Sequence, residues 1–127
     1  MARRLISSGS PFEERIGFSR AVRVGDRVVV SGTAPVLPDG GCPESAGEQA
    51  ARCLEIIAEA LAEAGASPAD VVRTRQYILD SADADAVMNA HRECFSDVRP
   101  ASTMILVAGF LDPRWRVEIE AEAVVGG

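Results

Sequence analysis

Residues 116–123 constrain the fold more than any other stretch, because polar and apolar side chains alternate there without a break. A period of two belongs to a β-strand buried on one face. It sends Val117, Ile119, Ala121 and Ala123 one way and Arg116, Glu118, Glu120 and Glu122 the other. Successive carboxylates then stand roughly 6.5–7 Å apart. The apolar face suits packing against helices. The middle strands are patterned differently. In the run from Ser102, Thr103, Ile105 and Val107 alternate with Met104, Leu106 and Ala108, and in the run from Arg27, Val28 and Val30 alternate with Val29 and Ser31. A sheet that is apolar on both faces at its centre needs a second cover, and a partner subunit is the simplest one.

The rest of the chain supplies the other elements. A short strand is expected over 3–7. Two β-rich runs, 18–24 and 27–33, flank Gly25-Asp26, a two-residue hairpin signal. Residues 35–43, rich in Pro and Gly, read as a loop. Ser45-Ala-Gly-Glu48 reads as a capping box, and Ala51, Leu54, Ile57, Ala58 and Leu61 form the stripe of a helix that Gly65 would end. A strand over 71–79, a second helix over 83–97 and strands over 102–109 and 115–124 complete the order β-β-β-α-β-α-β-β. That order predicts an α/β (α+β) fold, a mixed six-stranded sheet with both helices on one face, in a single domain over 1–127.

The chain carries a formal charge of −6, and all 13 of its basic residues are arginine. The acidic balance works against counterion-release binding to nucleic acid. Lacking lysine, the chain has no side-chain amine for a Schiff base. The single histidine, His91, and three cysteines with no Cys-x-x-Cys spacing offer no metal-site pattern. No apolar run approaches 18 residues, and Met1-Ala-Arg-Arg-Leu-Ile-Ser-Ser lacks a signal-peptide core, so no membrane span and a cytoplasmic location are expected. The three aligned carboxylates admit two readings. One of them is a general base tuned by burial, or all three form a solvated face or intersubunit pairs with Arg73, Arg75 or Arg116.

Four segments carry a resemblance: Phe18-Ser-Arg-Ala-Val-Arg-Val-Gly-Asp, Val30-Ser-Gly-Thr-Ala-Pro, Arg99-Pro-Ala-Ser-Thr-Met-Ile-Leu-Val-Ala-Gly, and Arg116-Val-Glu-Ile-Glu-Ala-Glu-Ala-Val. Taken together, in order and over nearly the whole chain, the sequence resembles the RidA/YjgF family, also called endoribonuclease L-PSP-like. That resemblance implies a chorismate-mutase-like domain, a homotrimer whose sheets form a central barrel, and small-molecule pockets at the subunit interfaces. Family deaminases hydrolyse imines and enamines without a cofactor. In them an arginine grips the substrate carboxylate and a glutamate positions water.

Carried over by position, the resemblance makes Glu118 the water-positioning residue and puts Ser31, Gly32 and Asn89 in the pocket. Phe18 stands where a tyrosine is expected, Ser102 where the anchoring arginine is expected, and Met104 where cysteine is frequent. Thr103, Glu120 and Arg75 complete the expected ligand-binding set, Arg75 as a replacement cation. A charge-assisted hydrogen bond contributes about 1.5–3 kcal/mol, so Ser102 should weaken binding of an amino-acid-derived imine at least tenfold. Three functions stay open at this point: a hydrolase of a small imine, enamine or related carbonyl compound, a non-catalytic ligand-binding or regulatory trimer, and an endoribonuclease, which the acidic charge disfavours.

Overall fold

The computed structural model describes residues 2–127. Six strands form one sheet in the order β1-β2-β3-β6-β4-β5: β1 Arg3–Ile6, β2 Ala21–Val24, β3 Arg27–Thr33, β4 Val71–Ile78, β5 Ala101–Leu106 and β6 Val117–Val124. Only β4 and β5 run parallel, so the sheet is mixed. A parallel pair cannot be joined by a tight turn and needs a crossover. Helix α3 (Ala84–Phe95) supplies it, and lies beside α2 (Ala46–Glu63) on the same face of the sheet. The mixed six-stranded α+β architecture read from the pattern is the one observed.

The core lies between that face and the two helices. Val117, Ile119, Ala121 and Ala123 of β6 are all buried, as their alternation requires, and meet Val28 and Val30 of β3 and Ile78 of β4. Ser45 caps α2 by accepting from the Glu48 N–H at 3.2 Å, while its hydroxyl donates to Glu48 Oε1 at 2.9 Å. Gly65 ends the helix at φ +81°. The bonds Ala66 N–H to Leu61 O (2.8 Å) and Gly65 N–H to Ala62 O (3.0 Å) close it in a Schellman turn. The helical stripe lies one position off its expected centre. Leu54, Ile57 and Leu61 are buried, but Ala51 is exposed and Ala50 and Cys53 take its place. Gly25 opens the β2–β3 hairpin at φ +60°, the glycine-first form that matches strand twist.

One added element and three strand boundaries depart from the sequence reading by more than a residue. A short helix, α1 (Pro11–Ile16), precedes β2. Its signal, Ser10 capping the Phe12 N–H ahead of a first-turn proline, is present in the sequence but spans too few residues to show a period. Gly17 at φ +90° ends it, and Phe18 N–H bonds back to Glu13 O at 2.9 Å, so β2 begins at Ala21 and not at Phe18. At the far end, β5 stops at Leu106 and β6 starts at Val117. The buried Gln49 accounts for the later start. Its Nε2 donates to Pro43 O (2.8 Å) and Arg114 O (2.9 Å), and its Oε1 accepts from Arg116 N–H (2.7 Å). Backbone groups that a longer ladder would use are taken by this side chain.

The opposite face of the sheet is covered by neither α2 nor α3. Register aligns Leu5, Val22, Val29, Glu122 and Arg73 in one row across it, Glu120, Arg75 and Thr103 in the next, and Glu118, Tyr77 and Ile105 in the third. Leu5, Val29 and Ile105 are exposed there. Among the described residues no helix is long and apolar enough to cross a membrane.

Candidate functional site

Glu118 stands out among the three carboxylates of β6. Glu120 accepts from Tyr77 Oη–H (2.6 Å) and from Arg75 Nη1–H (3.3 Å), and Glu122 is paired with Arg27 and with Arg75 at 3.6 Å. Glu118, half-buried, has no hydrogen-bond or ion-pair partner among the described residues. Burial raises its pKa above the ordinary glutamate value, Arg20 opposes that rise, and the negative charge of Glu120 adds to it. The result is a carboxylate with free lone pairs and enhanced basicity.

What faces Glu118 is backbone. Its Oε2 lies 3.5 Å from the point a Cβ on Gly32 would occupy, so a side chain at position 32 would fill the space beside the carboxylate. The Ser31–Gly32 segment is lifted out of the regular ladder by a register shift between Val30 and Thr33. It is then pinned to the strand before it. Ser31 N–H donates to Arg20 O (3.0 Å), Ser31 Oγ–H to Ser19 O (2.6 Å), and Arg20 Nη2–H to Gly32 O (2.7 Å). The Ser31 hydroxyl is therefore engaged with backbone. Arg20 is the cation that acts on Glu118, and its buried Nε–H has no partner among the described residues. The sequence reading passed over it, although it sits inside the Phe18-Ser-Arg-Ala segment. Nothing in the spacing tells an arginine before a strand from a solvated one.

Arg75 takes the carboxylate-pairing place, one of the two read for it from the sequence. It points along the open face at Glu120 and Glu122, a pair of carboxylates that already holds its charge. The bond that Tyr77 Oη–H itself donates to Glu120 is the main cause of a raised Tyr77 pKa, which Arg75 opposes.

Ser102 and Met104 lie on the other side of the sheet. Ser102 is in register with Thr74, and Thr74 with Ala121, all on the helix-covered face, whereas Thr103 pairs with Arg75 and Glu120 on the open face. Arg73 Nη2–H donates to Thr103 Oγ1 at 2.8 Å. Ser102 belongs to a closed polar group. Its Oγ is 2.9 Å from Thr74 Oγ1 and 3.0 Å from Gln76 Nε2, and Thr74 Oγ1 is 2.8 Å from His91 Nε2. Thr74 and Gln76 are buried. His91, on α3, is half-buried, and burial lowers its pKa. Gln76, His91 and Ser102 of this group, with Met88 and Met104, line a pocket of about 270 Å³ between α3 and β5. Asn89 is exposed on α3, and Phe18 is exposed on the turn before β2.

One chain thus gathers Ser31, Gly32, Arg75, Thr103, Glu118 and Glu120 on or beside the open face, and Ser102 and Met104 on the other. Among the described residues no three His, Cys, Asp or Glu side chains gather closely enough to hold a metal ion.

Against known proteins, residues 10–125 match the family model described as endoribonuclease L-PSP. The chain is similar to an uncharacterised protein of Streptomyces coelicolor, 44% identical over 97% of this chain and 92% of that protein. It is also similar to the 2-iminobutanoate/2-iminopropanoate deaminase of Capra hircus, 33% identical over 99% of this chain and 93% of that one. A solved structure from Mycobacterium tuberculosis, described as a member of the highly conserved YjgF/YER057c/UK114 family, superposes with a TM-score of 0.90 at 42% identity and covers 98% of this chain and 100% of its own.

Proposed function

The chain belongs to the endoribonuclease L-PSP (YjgF) family, and from that premise we propose that it is a cytoplasmic RidA-like hydrolase of a small imine, enamine or related carbonyl compound. The observation that carries this reading is Glu118: a half-buried carboxylate with no partner among the described residues, raised basicity and a glycine in front of it. Such a group can take a proton from water as the water attacks an electrophilic carbon. The similarity to an iminobutanoate/iminopropanoate deaminase supports the reaction class.

The working unit in this reading is a homotrimer. An uncovered sheet face bearing Leu5, Val29 and Ile105 calls for a partner, and the division of Ser102 and Glu118 between two faces has a simple resolution. The Glu118 side of one protomer closes over the Ser102 side of the next, and the ligand sits between them. Light scattering should report three chains at micromolar concentration, and a monomer would remove this assembly. The chemistry is tested with freshly generated 2-iminobutanoate and with imines of uncharged carbonyl compounds. Turnover of at least one class, lost in Glu118→Gln with the trimer intact, is the expected result. Turnover that survives Glu118→Gln would remove Glu118 as the base. A trimer that binds ligands and hydrolyses none would instead make the protein a binding or regulatory module, a reading that Ser102 favours, since it stands where the resemblance expects an anchoring cation.

A further inference from the structure

We propose that the pocket between α3 and β5 takes the primary-amide end of a small uncharged molecule, with Gln76, Ser102 and His91 as its hydrogen-bonding floor and Met88 and Met104 as its apolar walls. This rests on the reading of that pocket as part of the ligand site, and it names the substrate class that reading leaves open.

Within one protomer the lining contains neither a cation nor a carboxylate. Arginines on the adjoining elements serve elsewhere. Arg73 is bound to Thr103 on the opposite face, and Arg92 and Arg99 line the neighbouring depression beyond His91. Burial disfavours the imidazolium form of His91, so the floor is neutral near pH 7. A ligand carboxylate placed there would lose water and gain no opposite charge, which is costly.

The floor pairs its donors and acceptors with one another, Gln76 Nε2 donating to Thr74 Oγ1 at 2.9 Å as well as to Ser102 Oγ, so a ligand must exchange into that pairing. Gln76 Nε2 lies 3.0 Å from Ser102 Oγ, and Gln76 Oε1 lies 3.2 Å from the same oxygen. Both ends of the Gln76 amide therefore converge on the most exposed member of the group: Ser102 is exposed, His91 is half-buried, and Gln76 and Thr74 are buried. A primary amide carries one acceptor and two donors and can answer this mixed surface. A carboxylate offers acceptors alone and would set one of them against Gln76 Oε1. The space, about 270 Å³, holds a short aliphatic chain against two methionines, whose unbranched thioethers adapt to such a body.

The test uses the full-length protein with 13C-methyl methionine, a label carried at three positions of which Met1 is the internal control. Butanamide and butanoate, equal in shape and different in charge, are titrated separately at pH 7 while the methyl resonances of Met88 and Met104 are followed. Saturable shifts at both methyls with butanamide are expected, and a dissociation constant at least tenfold larger for butanoate. Ser102→Arg should invert that order, because it restores a fork that matches a carboxylate. Gln76→Met, which keeps volume and removes both polar ends, should abolish the preference for the amide. Equal or tighter binding of butanoate to the wild type, no saturable shift with butanamide, or an amide response unchanged in Gln76→Met would each overturn the proposal. No hydrolysis is needed for this readout. A protein that prefers butanamide and hydrolyses no imine keeps the pocket assignment and loses the proposed reaction, and a protein that hydrolyses 2-iminobutanoate and ignores butanamide does the reverse.

Discussion

The two faces of β4 show how one strand can carry two kinds of polar chemistry a single residue apart. Arg73, Arg75 and Tyr77 point to the open face, where Arg75 and Tyr77 meet the carboxylates of β6 and Arg73 meets Thr103. Thr74 and Gln76 point under α3, where they meet His91 and Ser102. Outward, the contacts are mostly charged and partly solvated, so each is weak by itself and open to tuning by whatever covers the face. Inward, they are neutral, short and closed, so the geometry is held firmly and no charge is welcome. The lesson concerns where specificity and reactivity can reside. The open face can adjust the ionisation of Glu118, and the covered face can choose the shape and charge of what binds.

The sharpest way to break this division is at Glu118. Glu118→Gln should lower any turnover by at least about 100-fold, since removing a general base forfeits a factor of roughly 10²–10⁴, and steady-state kinetics would check it. A loss below tenfold would mean the open face is not where the proton goes. Next in size is Thr74→Val on the covered face. It deprives His91, Ser102 and Gln76 of a shared partner and should cost about 2 kcal/mol, read by thermal or denaturant melting. The corresponding open-face change, Tyr77→Phe, removes one 2.6 Å bond to Glu120 and should cost only about 1 kcal/mol. If the two costs come out reversed, the open face is the better-buried one.

The smallest effects are in pH dependence. The Glu118 pKa is raised on folding, so its protonated form favours the native state and that contribution fades as pH rises through the folded value. Glu118→Gln should therefore be slightly more stable than wild type at pH 7, by a few tenths of a kcal/mol after allowance for solvent screening, and should lose that advantage toward pH 4. His91 has the opposite sign. Its folded pKa is lowered, so its contribution is present above the ordinary histidine value and is lost as pH falls below it. Melting curves of wild type and His91→Gln between pH 7 and pH 5 should converge as the acid is added. The acid limb of any turnover should also lie above the ordinary glutamate pKa of 4.5, since Glu118 must be ionised to accept a proton.

Much of the architecture was legible from local pattern alone. The alternation over residues 116–123, Ser45 with Gly65 bracketing a helix, and Gly25-Asp26 between two β-rich runs each state a rule confined to a few neighbouring residues. The short helix α1 escaped because six residues cannot display a 3.6 period, and the late start of β6 escaped because Gln49, 67 residues before Arg116, competes for its backbone. Glu118 could be singled out from strand parity together with a motif. Its freedom from partners could not, since that depends on Tyr77 and Arg75 choosing Glu120.

The period of each strand, the ends of the long helices and the unlike faces of β6 follow from local pattern, because backbone geometry and the next few side chains set them. Which face Ser102 occupies relative to Glu118, that Arg20 and not Arg75 acts on Glu118, and that His91 joins Thr74 were decided only by the tertiary structure. Each depends on register between strands distant in the chain, Thr74 with both Ser102 and Ala121, Tyr77 with Glu118. A shift of one residue in any of those pairings would exchange the two faces. Local periodicity records the alternation and carries no information about its phase against a distant neighbour.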